Sequence, residues 1–282
     1  MITEEHLKEK MRRIDFTCPD SIKDWDMDAL LKDMVHHIGS IDGELRDSLI
    51  YTSFYRLMEG NHLSQEQMLF LFDICIDESH LFNEIGKKED DSVFTRAFSS
   101  LVLALLLAKD RERPFLPSEK VQEAIHACFH YLEAEVDTRG YVQRKGWAHS
   151  IAHGADYLTE VIRHPQFPEE LHQRSLDIVK SCIFKEATYV DNEDGRLCSA
   201  IEALVEKGLT DEELHTWLMN LSGSVNERYT ENGYSLSFYR EQMTVQQFMQ
   251  TCYFRLKWKD TGSKSRDHIG TVLQKWHRHV FN

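Results

Sequence analysis

Apolar residues recur along most of this chain at the three/four spacing of a helix with one buried face. In WDMDALLKDMVHHI, Met27, Leu30, Leu31, Met34 and Ile38 keep that spacing. ELRDSLIYTSFYRLM continues it through Leu45, Leu49, Tyr55 and Met58. SQEQMLFLFDICI opens on a capping box, Ser64 with Gln67. VFTRAFSSLVLALLLAKD is a long apolar helix, and SEKVQEAIHACFHYLEAEV follows Pro117 with Ser118 as its cap. GWAHSIAHGADYLTEVIR predicts a helix from Trp147 to Arg163, stopping ahead of Pro165 because the residue before proline leaves the helical region. Further helices are predicted over 168–184, 196–207, 210–222, 238–256 and 266–280.

The predicted starts fall near 24, 43, 64, 93, 118, 147, 168, 196, 210 and 241. Two successive helices with their loops thus consume on the order of 40–47 residues, the period of HEAT or armadillo repeats. The expected fold class is all-α, an αα-superhelix of such helical pairs, with an α/α toroid as the alternative. A single domain over 1–282 is expected, its basic C-terminal helix at 260–282 packing on the body or on a second subunit. The segment 77–92 reads as a polar, irregular connection.

Composition agrees with this picture. The chain is 41% hydrophobic and 28% charged, enough apolar material for a core. With 13 Gly and 5 Pro it lacks the turns an all-β chain needs. A net charge of −14 repels phosphate backbones, so nucleic acid is not an expected partner. The C-terminus is the exception. From Arg255 onward, Arg255, Lys257, Lys259, Lys264, Arg266, Lys275 and Arg278 face only Asp260 and Asp267. Charge balance within the chain is the expected use of this end, a homodimer contact or an anionic ligand the alternatives. Six cysteines include no C-x-x-C pair and read as buried free thiols. MITEEHLKEKMRR has no apolar segment of a signal peptide. The run Leu101–Ala108 is too short to span a bilayer, so a cytoplasmic location with no membrane partner is expected.

One stretch stands apart. In GWAHSIAHGADYL, His149, His153, Asp156 and Glu160 are spaced four, three and four, one stripe of a helix. Ala148, Ser150, Ala152, Gly154 and Ala155 lie between them, and Gly154 costs roughly 1 kcal/mol relative to alanine in a helix interior. That cost argues for a close neighbour or for room beside the stripe. The stripe can serve as metal ligands (His149, His153 and Asp156), as a general base with Asp156 fixing the tautomer of His153, or as a binding surface for a polar ligand. The competing reading is packing, with both imidazoles satisfied by neighbouring helices. The H-x-x-x-H spacing lacks the glutamate of a zincin, and no cofactor is assigned beyond the option of a divalent metal.

A second polar cluster, YVDNEDGRLCSAI, puts Asp191, Asn192, Glu193, Asp194 and Arg196 at a helix start, where Asp194 can cap. It lacks the tail of an EF-hand loop. Arg96 falls inside an apolar helix and needs a carboxylate partner, for which Asp156 or Asp194 is expected.

GWAHSIAHGADYL followed by His164-Pro165 resembles the hallmark of a bacterial family known as domain of unknown function 2785. FTRAFSSLVLALLLAKD, DNEDGRL and FMQTCYFRLKW resemble further segments of it, so the likeness runs from about 94 to 258. The resemblance implies a helical-repeat fold and no particular activity. It marks Trp147, His149, His153, Gly154, Asp156, Asp194 and Arg196 as the family positions. A weaker likeness to lanthionine-cyclase-like toroids implies a zinc held by cysteine, and no cysteine lies beside the motif here. The expected function is a binding or interaction module for a protein or a small polar ligand. Its pocket would be lined by Trp147, His149, His153, Asp156, Glu160, Asp194, Arg196 and Arg96, on the concave face. The alternative is a hydrolase using His149, His153 and Asp156.

Overall fold

The periodic segments fold as helices in a computed structural model that describes residues 2–16, 18 and 22–281. The remaining residues of the 1–282 span lie outside the described ones. The chain divides into two compact units, Met1–Gln166 and Phe167–Asn282. The boundary follows the His164-Pro165 stop, a place where the sequence reading set no break.

The first unit holds α1 (Glu4–Met11), α2 (Met27–His36), a π-helix (Glu44–Tyr51) running into α3 (Thr52–Glu59), α4 (Gln65–Cys75), α5 (Ser92–Glu112), α6 (Ser118–Ala134), a two-stranded hairpin and α7 (Ser150–Arg163). The hairpin pairs β1 (Tyr141–Val142) with β2 (Gly146–Trp147), Tyr141 opposite Trp147. The capping box at Ser64 and Gln67 forms, whereas Pro117, not Ser118, occupies the cap position of α6.

Helix α5 is the spine of this unit, packed on α3, α4, α6 and α7. It is longer than its apolar run implied. By length and hydropathy it matches a membrane span, yet 78% of its most apolar window is buried inside the protein. Its Arg96 is fully buried and makes a bidentate pair with Glu135 at 2.7 and 3.0 Å. The expected partners Asp156 and Asp194 are not used. Glu135 directly follows α6, which packs on α5, and its carboxylate also takes the N–H groups of Val136 and Asp137. Arg96 further ties down the 77–92 connection through the carbonyl of Asn83 at 2.8 Å.

Gly154 serves packing. A Cβ there would come within 2.5 Å of Leu132 Cδ2 and 3.0 Å of Tyr131 Cε1, so its role is close contact with α6. At the far end of α7, buried His164 meets Asp110 at 2.9 Å, and Asp110 also accepts from the N–H groups of Phe115 and Leu116.

The second unit holds α8 (His172–Ile183), α9 (Glu193–Glu206), α10 (Asp211–Asn232), α11 (Leu236–Trp258) and α12 (Ser263–Phe281). The predicted helix at 210–222 runs ten residues further, as far as Asn232. Helix α12 packs on α10 and α11. Within this unit the basic end is matched by acids: Arg255 meets Glu202 at 3.1 Å and Lys259 meets Glu206 at 3.0 Å, and Lys264 pairs with Glu212.

Candidate functional site

The motif does not lie on one helix. Trp147 is in strand β2, and His149 adopts the left-handed region (φ 50°) at the cap position of α7, which begins at Ser150. The helical stripe therefore starts at His153. The Trp147 indole is 38% exposed.

Two buried devices hold this turn. Asp137, fully buried, takes a bidentate pair from Arg139, and its carbonyl accepts from the Ser150 hydroxyl. The second device is Arg46, on the π-helix, an irregularity that concentrates at functional sites. Its guanidinium is fully buried between the rings of Phe94 and Phe98, 4.2 and 4.8 Å from their centroids. It donates to the carbonyls of Ser40 (2.6 Å), Lys145 (2.8 Å) and Trp147 (3.2 Å). Asp47 lies 2.8 Å from Arg46 Nη2, a charge contact rather than an aligned hydrogen bond. Burial raises the Asp47 carboxyl above the ordinary aspartate range, against the lowering pull of Arg46 and of the nearby Trp147 N–H. Burial likewise lowers Arg46 from the usual arginine value.

Gly146 makes this approach possible. Its φ is +82°, and a Cβ there would sit 2.8 Å from Arg46 Nη2 and 3.0 Å from Asp47 Oδ2.

Aromatic contacts link the rest. Trp147 stacks on His149 at 4.3 Å and meets Tyr141 edge-on at 4.9 Å. His149 and His153 are edge-to-face at 5.5 Å, and His153 meets Phe98 the same way at 5.3 Å. Neither Nδ1 nor Nε2 of His153 has a hydrogen-bond partner among the described residues, and both atoms are buried. Asp156 Oδ2 lies 3.8 Å from His153 Nδ1, within reach of its charge but beyond a hydrogen bond. His149, His153 and Asp156 do not bring three ligand atoms within 4.8 Å of one another.

An open cleft of about 600 Å³ is walled by Trp147, Tyr141 and Arg144 of the hairpin and by Asp47 and Ser48 of the π-helix. The histidines do not line it. Asp42 and Glu44 at its edge are already paired with Lys8 and Arg12.

The other expected site residues lie elsewhere. Glu160 pairs with Arg111 at 2.6 Å, and Arg96 belongs to the frame. Asp194 and Arg196 are in the second unit. Asn192 rather than Asp194 holds the cap position of α9, and Asp194 accepts from the Thr251 hydroxyl. Arg46, Asp47 and Phe98 escaped the sequence reading. Their one signal was a charged Arg-Asp pair inside an otherwise amphipathic helix.

A family model described as "Protein of unknown function (DUF2785)" matches residues 81–254. The chain belongs to the DUF2785 family. No curated protein and no solved structure matches it. The DUF2785 match takes in the hairpin, the two histidines and the buried Arg96–Glu135 pair, while Arg46 and Asp47 precede it.

Proposed function

We propose that this DUF2785 protein is a binding module whose ligand site is the cleft in front of Trp147. The observation that carries the reading is the contrast between that cleft and its support. A partly exposed indole and a half-buried carboxylate line an open space, and both are fixed from behind by Arg46, a residue with no solvent exposure. Rigid support of one exposed aromatic beside one carboxylate is the arrangement of a preformed site for a small polar ligand. His153 and Asp156 form its inner layer. The helical pairs are read as a HEAT- or armadillo-like αα-superhelix. Packing of alternate helices supports this: α5 on α7 in the first unit, α9 on α11 and α10 on α12 in the second.

The test is a thermal-shift screen of sugars, nucleotides, amino acids and polyamines on the wild type and Trp147→Ala. Ligands of the cleft raise the melting temperature of the wild type and leave the variant unmoved. Hits that stabilise both proteins equally would sink this reading.

A hydrolase remains the second reading, favoured by the His153–Asp156 approach at 3.8 Å. It requires turnover of ester, phosphoester or amide substrates that Asp156→Asn abolishes.

A further inference from the structure

The second unit carries a groove of about 590 Å³ bordered by α10, the turn after it, α11 and α12. Three tyrosines raise its walls: Tyr229, Tyr234 and Tyr239 are 51%, 73% and 42% exposed. They stand in a row with Phe238. Tyr229 is 5.3 Å and Tyr234 6.1 Å from the Phe238 ring, and Tyr234 is 6.4 Å from Tyr239. Beside the tyrosine hydroxyls the groove offers the side-chain amides of Asn226, Gln242 and Gln246. Among its eleven described lining residues Lys275 alone is charged, in a chain that is 28% charged.

We infer that this groove binds an uncharged, proline-rich segment of another protein in the polyproline II conformation. A groove walled by exposed aromatic rings is the surface on which such segments dock, because proline rings pack against aromatic faces. The polyproline helix makes no internal hydrogen bonds, so its carbonyls need donors, which the amides beside the rings supply. With Lys275 as the single charge among the described lining residues, the groove matches an uncharged occupant better than a charged peptide. Tyrosine also carries the largest share of contact energy at the least entropic cost. The chain's own P-x-x-P stretches, Pro114 to Pro117 and Pro165 to Pro168, do not supply the occupant. Their inner residues Phe115, Leu116 and Phe167 are 6%, 8% and 6% exposed, held in the core.

The test is calorimetric titration of the full chain with decaproline. The expected result is saturable one-to-one binding with a dissociation constant below about 1 mM. Weakening by about tenfold is expected in Tyr234→Ala and in Tyr239→Ala. Both side chains are exposed enough for the fold to survive, which circular dichroism checks. Trp258→Ala, an equally exposed aromatic outside the groove, keeps wild-type affinity. No binding, or binding that both tyrosine variants retain, overturns the proposal. So does maltohexaose binding in place of decaproline with loss in the same variants, which makes the groove a saccharide site. Concentration-dependent dimerisation that Tyr234→Ala removes overturns it as well, by assigning the face to a second copy.

Discussion

Arg46 and Trp147, about a hundred residues apart, are joined by a buried hydrogen bond. The Arg46 guanidinium donates to the Trp147 carbonyl at 3.2 Å and to the Lys145 carbonyl, two residues earlier, at 2.8 Å. These bonds join the π-helix to the hairpin and set the indole at the edge of the cleft. The cation lies between two phenylalanine rings and has no access to water, so nothing outside the protein replaces these bonds.

Substituting Arg46 by Met should therefore be among the most damaging changes in the chain. It leaves three carbonyls short of a donor and Asp47 without its cation. A loss of about 3–5 kcal/mol in urea unfolding is expected, the scale for breaking a buried ion pair from one side. Arg46→Met with Asp47→Asn should recover part of that loss, because the orphaned charge goes too. A cost below about 1 kcal/mol for the single variant would show that the pair does not hold the hairpin.

Two glycines separate backbone strain from crowding. Gly146 and Gly208 both have positive φ, +82° and +104°, but nothing lies within 4 Å of a Cβ built on Gly208. Gly208→Ala should cost only the left-handed penalty, about 1–2 kcal/mol. Gly146→Ala should cost about 1–3 kcal/mol more, because its methyl displaces Arg46. Equal melting temperatures for the two variants would mean that the hairpin yields freely.

The Asp47 carboxyl titrates above the ordinary aspartate value of 3.8 because burial disfavours its charge. A raised carboxyl binds its proton more tightly in the folded than in the unfolded chain. Asp47 therefore lowers stability as pH rises from 3.8 through its folded value, and the loss is relieved on acidification. Urea unfolding of wild type and Asp47→Asn across that acidic range should show the wild type losing ground with increasing pH. A difference that is flat, or that grows in the wild type's favour, contradicts the burial argument.

The cysteines give a simpler check. Cys75, Cys128, Cys182, Cys198 and Cys252 are buried and Cys18 is exposed. Burial pushes the Cys182 thiol up to about 11 and raises Cys75 and Cys198 as well. Aromatic-disulfide titration of the native protein should give one fast thiol, lost in Cys18→Ser, with the other five reacting only on denaturation.

What could be read from the sequence was what repeats locally. Leu30, Leu31, Met34 and Ile38 are core residues, the Ser64 box forms, and α7 stops ahead of Pro165, because spacing, caps and proline act over a few residues. The start of α7 was misread because a left-handed histidine has no marker in composition: GWAHSIAHG fits helical spacing until His149 turns the chain. Pairings between distant residues were out of reach for the same reason. Glu135 takes Arg96, and Arg46 takes Trp147, through folded-chain geometry that no periodicity encodes. Trp147, His149 and His153 do meet ring to ring, but the turn that carries them is held by an arginine outside the motif.

His153 and His164 put the division between packing and function to the test. Both are largely buried on α7 or at its end. His164 meets Asp110 at 2.9 Å, so His164→Leu strands a buried carboxylate and should cost about 3 kcal/mol or more. Among the described residues His153 has no hydrogen bond to lose, and its ring contacts Phe98 and His149 edge-on, geometry that a phenyl ring reproduces. His153→Phe should match or exceed wild-type stability, within about 1 kcal/mol. A buried imidazole that contributes nothing to folding would fit the inner layer of the proposed site, where its nitrogens are open to a ligand. Thermal melts of the two variants decide it: comparable losses in both would make His153 a packing residue and remove the inner layer from the proposed site.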